Sequence, residues 1–92
     1  MDAFIQHIEI QLNEVITSYG SLRGGDINEA IRLDTKSNRY FLKWNSSIAY
    51  PSMLQLEADG LDALRDQSDL VVPMVINQGI AGKRQWLVLE WL

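Results

Sequence analysis

One lysine and one glutamate stand in segments that are otherwise apolar, and both could take part in chemistry. Lys43 lies within the apolar run at residues 40–44, although lysines in the middle of a strand usually face solvent. Glu57 follows Leu54 by three residues and precedes Leu61 by four, so that on a helix it shares their apolar stripe. A carboxylate in such a stripe is costly unless a cation meets it. Lys43 is the nearest cation in the preceding predicted strand, and we predict that it pairs with Glu57.

Two adjacent glycines form a third feature that could carry chemistry. They allow a backbone to approach phosphate oxygens and to point its amides at them, although hairpin turns use the same residues. The order along the chain favours the first use, because a glycine-rich bend, a strand lysine, a helix glutamate and an apolar strand follow one another as in the nucleotide-binding part of kinases. The predicted phosphate-covering segment consists of Gly24, Gly25, Asp26, Ile27 and Asn28.

An amphipathic helix is predicted at the start of the chain, over residues 3–19. Asp2 is its expected N-cap, and Gly20 is its expected C-terminal stop. His7, the only histidine, falls near the polar side, where we expect an ordinary surface residue. The apolar residues that recur at three- and four-residue spacing are Ile5, Ile8, Leu12, Val15, Ile16 and Tyr19.

A hairpin and a second helix are predicted next. The strands at 27–33 and 39–45 are joined by a polar turn at 34–38. After a linker, Ser52 is the expected cap of a helix over residues 53–66. The residues predicted on its buried face are Leu54, Leu61 and Leu64.

The last third of the chain predicts two more strands. The apolar run at 70–76 contains Pro73, which restricts it to a sheet edge or a strand start. The run at 84–91 is the most apolar of all. Helix, strands, helix and strands in this order predict an α+β fold, with an antiparallel sheet of about five strands, an N-terminal helix and a second helix. The turn between the last two strands is predicted at Asn77, Gly79 and Gly82.

The composition restricts the class of protein. The net charge is -4 and no run of lysine and arginine occurs, which argues against nucleic-acid binding. The absence of cysteine excludes disulfides, thiolate metal sites and a cysteine nucleophile. The N-terminus is unlike a signal peptide, and no apolar run approaches the roughly 20 residues that span a bilayer. We therefore expect a cytoplasmic protein without a nucleic-acid or membrane partner.

Taken together, these segments resemble the fructosamine kinase family over essentially the whole chain after the first helix. The resemblance implies a protein-kinase-like fold and an ATP-dependent enzyme that phosphorylates the 3-hydroxyl group of ketoamine sugars on glycated amines, the first step of deglycation. It implies ATP and magnesium as cofactors of the parent enzyme. It is carried by Gly-Gly-Asp-Ile-Asn-Glu-Ala at 24–30, Tyr-Phe-Leu-Lys-Trp-Asn at 40–45, Glu-Ala-Asp-Gly-Leu at 57–61, Val-Pro at 72–73 and Leu-Val-Leu-Glu-Trp-Leu at 87–92.

The resemblance also implies a role for each matching residue. Lys43 would contact the α- and β-phosphates, with Glu57 as its partner on the helix. Phe41, two residues before Lys43, would lie against the adenine ring. A hinge segment would supply backbone groups that hydrogen-bond adenine, and it consists of Glu90, Trp91 and Leu92.

In the family, a catalytic loop with His-Gly-Asp and a downstream Asn, and a later magnesium-binding Asp, would follow the last strand. None of these motifs is in the 92 residues, so we predict neither a catalytic nor a metal-binding residue here. We expect residues 1–92 to be the nucleotide-binding N-terminal lobe without the C-terminal catalytic lobe, inactive by itself.

Two alternatives remain open at this point. One is a lobe from the aminoglycoside or choline kinase group. The other is a free-standing α+β interaction module in which Lys43 and Glu57 form only a structural ion pair. The expected partners are a nucleotide and either the missing lobe or a second copy of the chain, because a last strand ending in Trp91 and Leu92 leaves large apolar side chains near a free terminus.

Overall fold

The structure, a computed structural model, describes residues 2–23, 27–67 and 69–92. Its five strands form one antiparallel sheet in the order β1-β2-β3-β5-β4. The predicted α+β class, with two helices and a five-stranded antiparallel sheet, is confirmed. The elements in chain order are α1 (Ala3–Leu12), β1 (Ile16–Leu22), β2 (Glu29–Thr35), β3 (Arg39–Ser46), α2 (Met53–Gln67), β4 (Val75–Ala81) and β5 (Arg84–Glu90).

The sheet separates two apolar cores, because successive side chains of a strand point to opposite faces. On one face, α1 packs against the sheet through Ile5 and Ile8, which are 2% and 0% exposed. On the other face, α2 packs through Leu54 and Ala58. The sheet residues of the α1 core are Ile16, Leu33, Tyr40, Leu42, Trp86 and Val88, and those of the α2 core are Leu87 and Leu89, with Phe41 and Val75 packed against them.

The prediction of one helix over residues 3–19 is wrong in its second half. The helix ends at Leu12, and Asn13 takes up a left-handed conformation with φ 56°, which asparagine adopts more readily than most residues. The β-branched residues that follow favour a strand, and Ile16 pairs with β2 in the sheet. Gly20 is therefore part of β1 rather than a helix stop. Two of the residues predicted on the helix's apolar face are exposed, Val15 and Tyr19.

The start of α1 agrees with the prediction. Asp2 Oδ1 accepts a hydrogen bond from the N–H of Phe4 at 2.6 Å, as an N-cap side chain does. His7 is half-buried rather than fully on the surface. Its ring meets the Trp86 ring edge-on, with 5.1 Å between the ring centroids, so packing explains this histidine.

The predicted hairpin and second helix are confirmed, with two corrections to α2. Leu64 is 51% exposed and does not belong to the buried face, whereas Leu54 is 1% exposed. Ser52 does precede the helix, and its carbonyl accepts the N–H of Leu56. The side chain that accepts the N–H of Leu54, however, is Gln85 from β5. Ser52 itself has φ 61°.

The last two strands form a hairpin that turns later than predicted. Asn77 and Gly79 lie within β4, and only Gly82, with φ 60°, belongs to the turn. Gly79 faces the Trp86 indole so closely that an added Cβ would lie 2.6 Å from it, which explains a glycine inside a strand. β4 is an edge strand, as Pro73 predicted, but it begins at Val75, so the strand predicted at 70–76 is wrong except for its last two residues.

β5 runs between β3 and β4 and is not an edge strand. Its backbone is therefore already paired on both sides, and a second copy cannot add to the sheet along β5. Trp91, predicted as the last residue of this strand, follows its end at Glu90. Among the described residues, no helix is long and apolar enough to cross a membrane.

Candidate nucleotide-binding site

The ammonium group of Lys43 meets the carboxylate of Glu57, as the spacing predicted. Lys43 Nζ lies 3.0 Å from Glu57 Oε1 and 2.9 Å from Oε2. The two side chains are 19% and 33% exposed, so the pair sits at the boundary between the α2 core and solvent. An ammonium held by both carboxylate oxygens has a fixed position from which its third hydrogen can reach an anion.

Two elements bring this pair together. On β3, Lys43 points toward α2 and lies between its cross-strand neighbours Ala30 and Leu87. On α2, Glu57 directly precedes Ala58, which is fully buried. Burial of the helix's apolar stripe against Leu87 therefore carries the Glu57 carboxylate to the sheet.

An apolar pocket of about 300 Å³ lies on the same face of the sheet. Phe41 contributes its ring there and stands opposite Leu89 in the β3–β5 register. The pocket brings together Phe41 and the three residues predicted to form the hinge, while Pro73 and Leu89 were not among the predicted residues. The lining consists of Phe41, Pro73, Leu89, Glu90, Trp91 and Leu92.

The backbone at the pocket's rim is partly engaged already. The N–H of Glu90 donates to the carbonyl of Met74 at 2.9 Å, so this donor is not available to a ligand. Trp91 is 37% exposed, and the guanidinium of Arg39 lies 5.6 Å from its ring centroid. The expectation that residues 90–92 offer backbone groups to adenine is therefore restricted to the Glu90 carbonyl and to the backbone of Trp91 and Leu92.

The predicted phosphate-covering segment is described only at its end. Gly24, Gly25 and Asp26 lie outside the described residues, and Ile27 is 43% exposed. Asn28 Oδ1 accepts a hydrogen bond from Asn45 Nδ2 at 2.7 Å.

Asn45 is a residue that sequence reasoning missed. It is 2% exposed and faces the same side of β3 as Lys43, two residues away. The signal in the sequence was an amide side chain two residues after Lys43, on the same face of the strand. Its hydrogen bond connects Asn28, the last residue of the predicted phosphate-covering segment, to the strand that carries the lysine.

Comparison with known proteins decides the family. A family model described as Fructosamine kinase matches residues 1–92. The chain belongs to the fructosamine kinase family.

Among its relatives, a Synechocystis protein assigned as a ketoamine kinase is 38% identical over 72 residues, and the match covers 78% of this chain and 24% of the relative. A chloroplastic protein-ribulosamine 3-kinase of Arabidopsis thaliana is 41% identical over 58 residues, covering 63% of this chain and 18% of the relative. The matches thus span about a quarter of the first relative and less than a fifth of the second.

Solved structures confirm the kinase-like fold of this fructosamine kinase family member. A crystal structure from Haemophilus somnus assigned to a fructosamine-3-kinase matches with a TM-score of 0.79 and 29% identity, covering 95% of this chain and 30% of that one. A spectinomycin phosphotransferase solved with ADP and spectinomycin matches with a TM-score of 0.69 at 15% identity, which is a likeness of fold. The family match favours the fructosamine kinase interpretation over the aminoglycoside or choline kinase one.

A cluster of charged residues continues the pocket face of this fructosamine kinase chain across β2 and β3. Asp34 Oδ1 accepts from Arg39 Nε at 2.7 Å, and Oδ2 accepts from Arg32 Nε and Ser18 Oγ at 2.8 Å each. Arg32 stands opposite Phe41 in the sheet. The hydrogen bond from Arg39, followed by that from Ser18, lowers the pKa of Asp34 to about 2.

Substitution of Asp34 by asparagine should make the stability of the chain less sensitive to acid. Because the pKa of Asp34 falls from its usual 3.8 to about 2 on folding, its charge stabilises the fold above the unfolded pKa, and this stabilisation is lost as the pH falls through about 2. The Tm of the wild type, measured by circular dichroism, should exceed that of the variant at about pH 6 and converge with it near pH 2. Parallel Tm curves would contradict the assigned cause.

Proposed function

We propose that residues 1–92 form the nucleotide-binding N-terminal lobe of an ATP-dependent ketoamine kinase. The observation that carries the proposal is the Lys43–Glu57 pair, with 2.9 Å between Nζ and Oε2, on the same sheet face as the apolar pocket. An apolar slot beside a fixed cation matches a nucleotide, whose base is flat and apolar and whose phosphates are anionic. The assignment of the relatives as ketoamine and ribulosamine kinases favours a ketoamine as the acceptor.

The role proposed for each residue in binding ATP follows from the chemistry of its side chain. Phe41, Leu89 and the hinge residues enclose adenine and remove apolar surface from water. Lys43 places a positive charge against the α- and β-phosphates, and Glu57 keeps that charge from turning away. In the proposed reaction the γ-phosphorus of ATP forms a bond to the 3-hydroxyl oxygen of the ketoamine while its bond to the β,γ-bridging oxygen breaks, so that ADP leaves and the hydroxyl proton passes to a base or to water. Phosphoryl transfer depends mainly on positioning and on electrostatic stabilisation, and positioning is what this lobe contributes.

Magnesium, the second cofactor that the resemblance implies, is assigned no ligand in this proposal. The part of the chain that the structure describes contains no group of three or more histidine, cysteine or carboxylate side chains placed to hold a metal ion. Lys43 neutralises phosphate charge without a metal, so the role proposed for this lobe requires no step through the ion.

Trp91 and Leu92 are the proposed contact with the rest of a full-length kinase. They are 37% and 66% exposed beside the pocket, and the chain covers only 24% of its Synechocystis relative. Large apolar side chains exposed together favour a partner surface. A second copy of the chain is the alternative partner, through these side chains rather than through the backbone of β5.

The proposal is tested by comparing two carboxylates of α2. Replacement of Glu57 by alanine should weaken ATP binding about tenfold, because Lys43 loses the charge-assisted hydrogen bonds that orient it, worth about 1.5–3 kcal/mol. Asp62→Ala makes the same charge change on the same helix at an exposed position, and it should change the dissociation constant less than about twofold. Titration calorimetry with ATP provides the measurement. Equal losses in the two variants would place Glu57 outside the site.

A further inference from the structure

A glutamine of β5 forms hydrogen bonds that fix the start of α2. Gln85 is 2% exposed, and both ends of its side-chain amide are used. Its Nε2 donates to the carbonyl of Tyr50 at 2.5 Å and to that of Ser46 at 3.5 Å. Its Oε1 accepts the N–H of Leu54 at 3.1 Å. One side chain thus fixes the end of β3, the connection after it and the first turn of the helix.

These bonds connect segments that packing alone would leave weakly held. The connection between β3 and α2 exposes Ile48 and Tyr50 and so buries little apolar surface. The first N–H groups of a helix have no partner within the helix, and the N–H of Leu54 is buried, so an unmade bond there would be costly. Gln85 therefore satisfies a donor that solvent cannot reach.

The anchored start of α2 lies about one helical turn before Glu57, the carboxylate that holds Lys43. Glu57 follows Leu54 by three residues, which is close to one helical turn and about 4.5 Å along the axis. We infer that Gln85 is a positioning residue for the Lys43–Glu57 pair, acting through the start of α2. This inference rests on the proposed function, because a position of Glu57 matters to ATP only if Lys43 contacts the phosphates.

The substitution Gln85→Met tests the inference, since methionine fills a similar volume but has no N–H donor and only a weak sulfur acceptor. In the 92-residue chain, Gln85→Met should weaken ATP binding about tenfold, within the range of about 5–150-fold typical of coupling between sites. Adenosine binding, which depends on the apolar pocket, should stay within about twofold. The double variant Gln85→Met/Glu57→Ala should bind ATP no more weakly than Glu57→Ala alone, because both substitutions remove the same interaction.

Gln78→Met is the matched control, since Gln78 lines the same small pocket behind α2 as Gln85 and its side chain bonds to none of the described residues. It should leave the affinity for ATP unchanged. Equal losses for ATP and adenosine, or additive losses in the double variant, would overturn the inference and leave Gln85 a purely structural residue.

Hydrogen exchange separates failure of this inference from failure of the proposed function. If Glu57→Ala does not weaken ATP binding, the proposed function fails, whatever Gln85 does. Exchange at the amides of Leu54 and Glu57 should still be faster in Gln85→Met than in the wild type if Gln85 anchors the helix. Unchanged exchange at both amides would overturn the anchoring itself.

Discussion

Replacement of Lys43 by alanine should weaken ATP binding about 100-fold and leave adenosine binding almost unchanged. The substitution removes the charge-assisted hydrogen bonds to the phosphates, worth roughly 1.5–3 kcal/mol. It also leaves the Glu57 carboxylate, 33% exposed, without its cation on the face that the phosphates would approach. Repulsion between that carboxylate and the phosphates adds to the loss. For this reason the effect should exceed that of Glu57→Ala, which leaves a cation in place.

The matched control is Lys83→Ala, which makes the same charge change in the exposed turn between β4 and β5. This variant should bind ATP as the wild type does, within about twofold. Binding can be measured by the change in fluorescence of Trp91, since Trp91 lines the pocket while Trp86 is buried in the α1 core. A similar loss in both lysine variants would mean that ATP senses net charge rather than Lys43.

The largest loss of stability is expected for Leu87→Ala. Leu87 is fully buried beneath α2, in the same core as Leu54 and Ala58. Its truncation should lower the free energy of unfolding by about 2–5 kcal/mol, because the lost burial is joined by the cost of a cavity. In a domain of this size each kcal/mol corresponds to roughly 4–8 °C, so thermal unfolding should show a decrease in Tm of at least about 8 °C.

Leu64→Ala serves as the control, since it makes the same truncation on α2 at a side chain that is 51% exposed. Its free energy of unfolding should change by less than about 0.5 kcal/mol. If the two leucine variants unfold at the same temperature, α2 does not dock on β5 in the way described. The comparison also bears on the site, because Leu87 is the cross-strand neighbour of Lys43.

Local patterns, together with the resemblance to kinases, predicted the Lys43–Glu57 pair. Strand alternation placed Lys43 away from Leu42, and the helical stripe placed Glu57 beside Leu54. Both periodicities depend only on neighbours in sequence, and the structure has the two side chains in contact. The extent of α1 could not be predicted in this way, because the apolar residues around Ile16 fit a helix and a strand equally well and the pairing with β2 decides between them.

Residues placed by long-range pairing were missed. Leu89 reaches the pocket because the β3–β5 register sets it opposite Phe41, and Gln85 reaches α2 from a strand 31 residues later in the chain. Neither position has a local signal, since a leucine in an apolar strand is ordinary and a glutamine at a strand start is usually solvated. Register and packing between distant segments were therefore the information that the sequence patterns lacked.

The two-sided sheet has a consequence for how this chain tolerates change. The apolar side chains facing α1 form a core on the face opposite the proposed site, so exchanges among similar volumes there should cause only small changes in folding stability. The side chains facing α2 include the lysine, its carboxylate partner and the pocket lining. Substitutions of equal size there should abolish ligand binding in a molecule that still folds. In a random library of variants, substitutions at even-numbered positions of β3 should mainly lower folding stability. Substitutions at odd-numbered positions should mainly lower ligand binding.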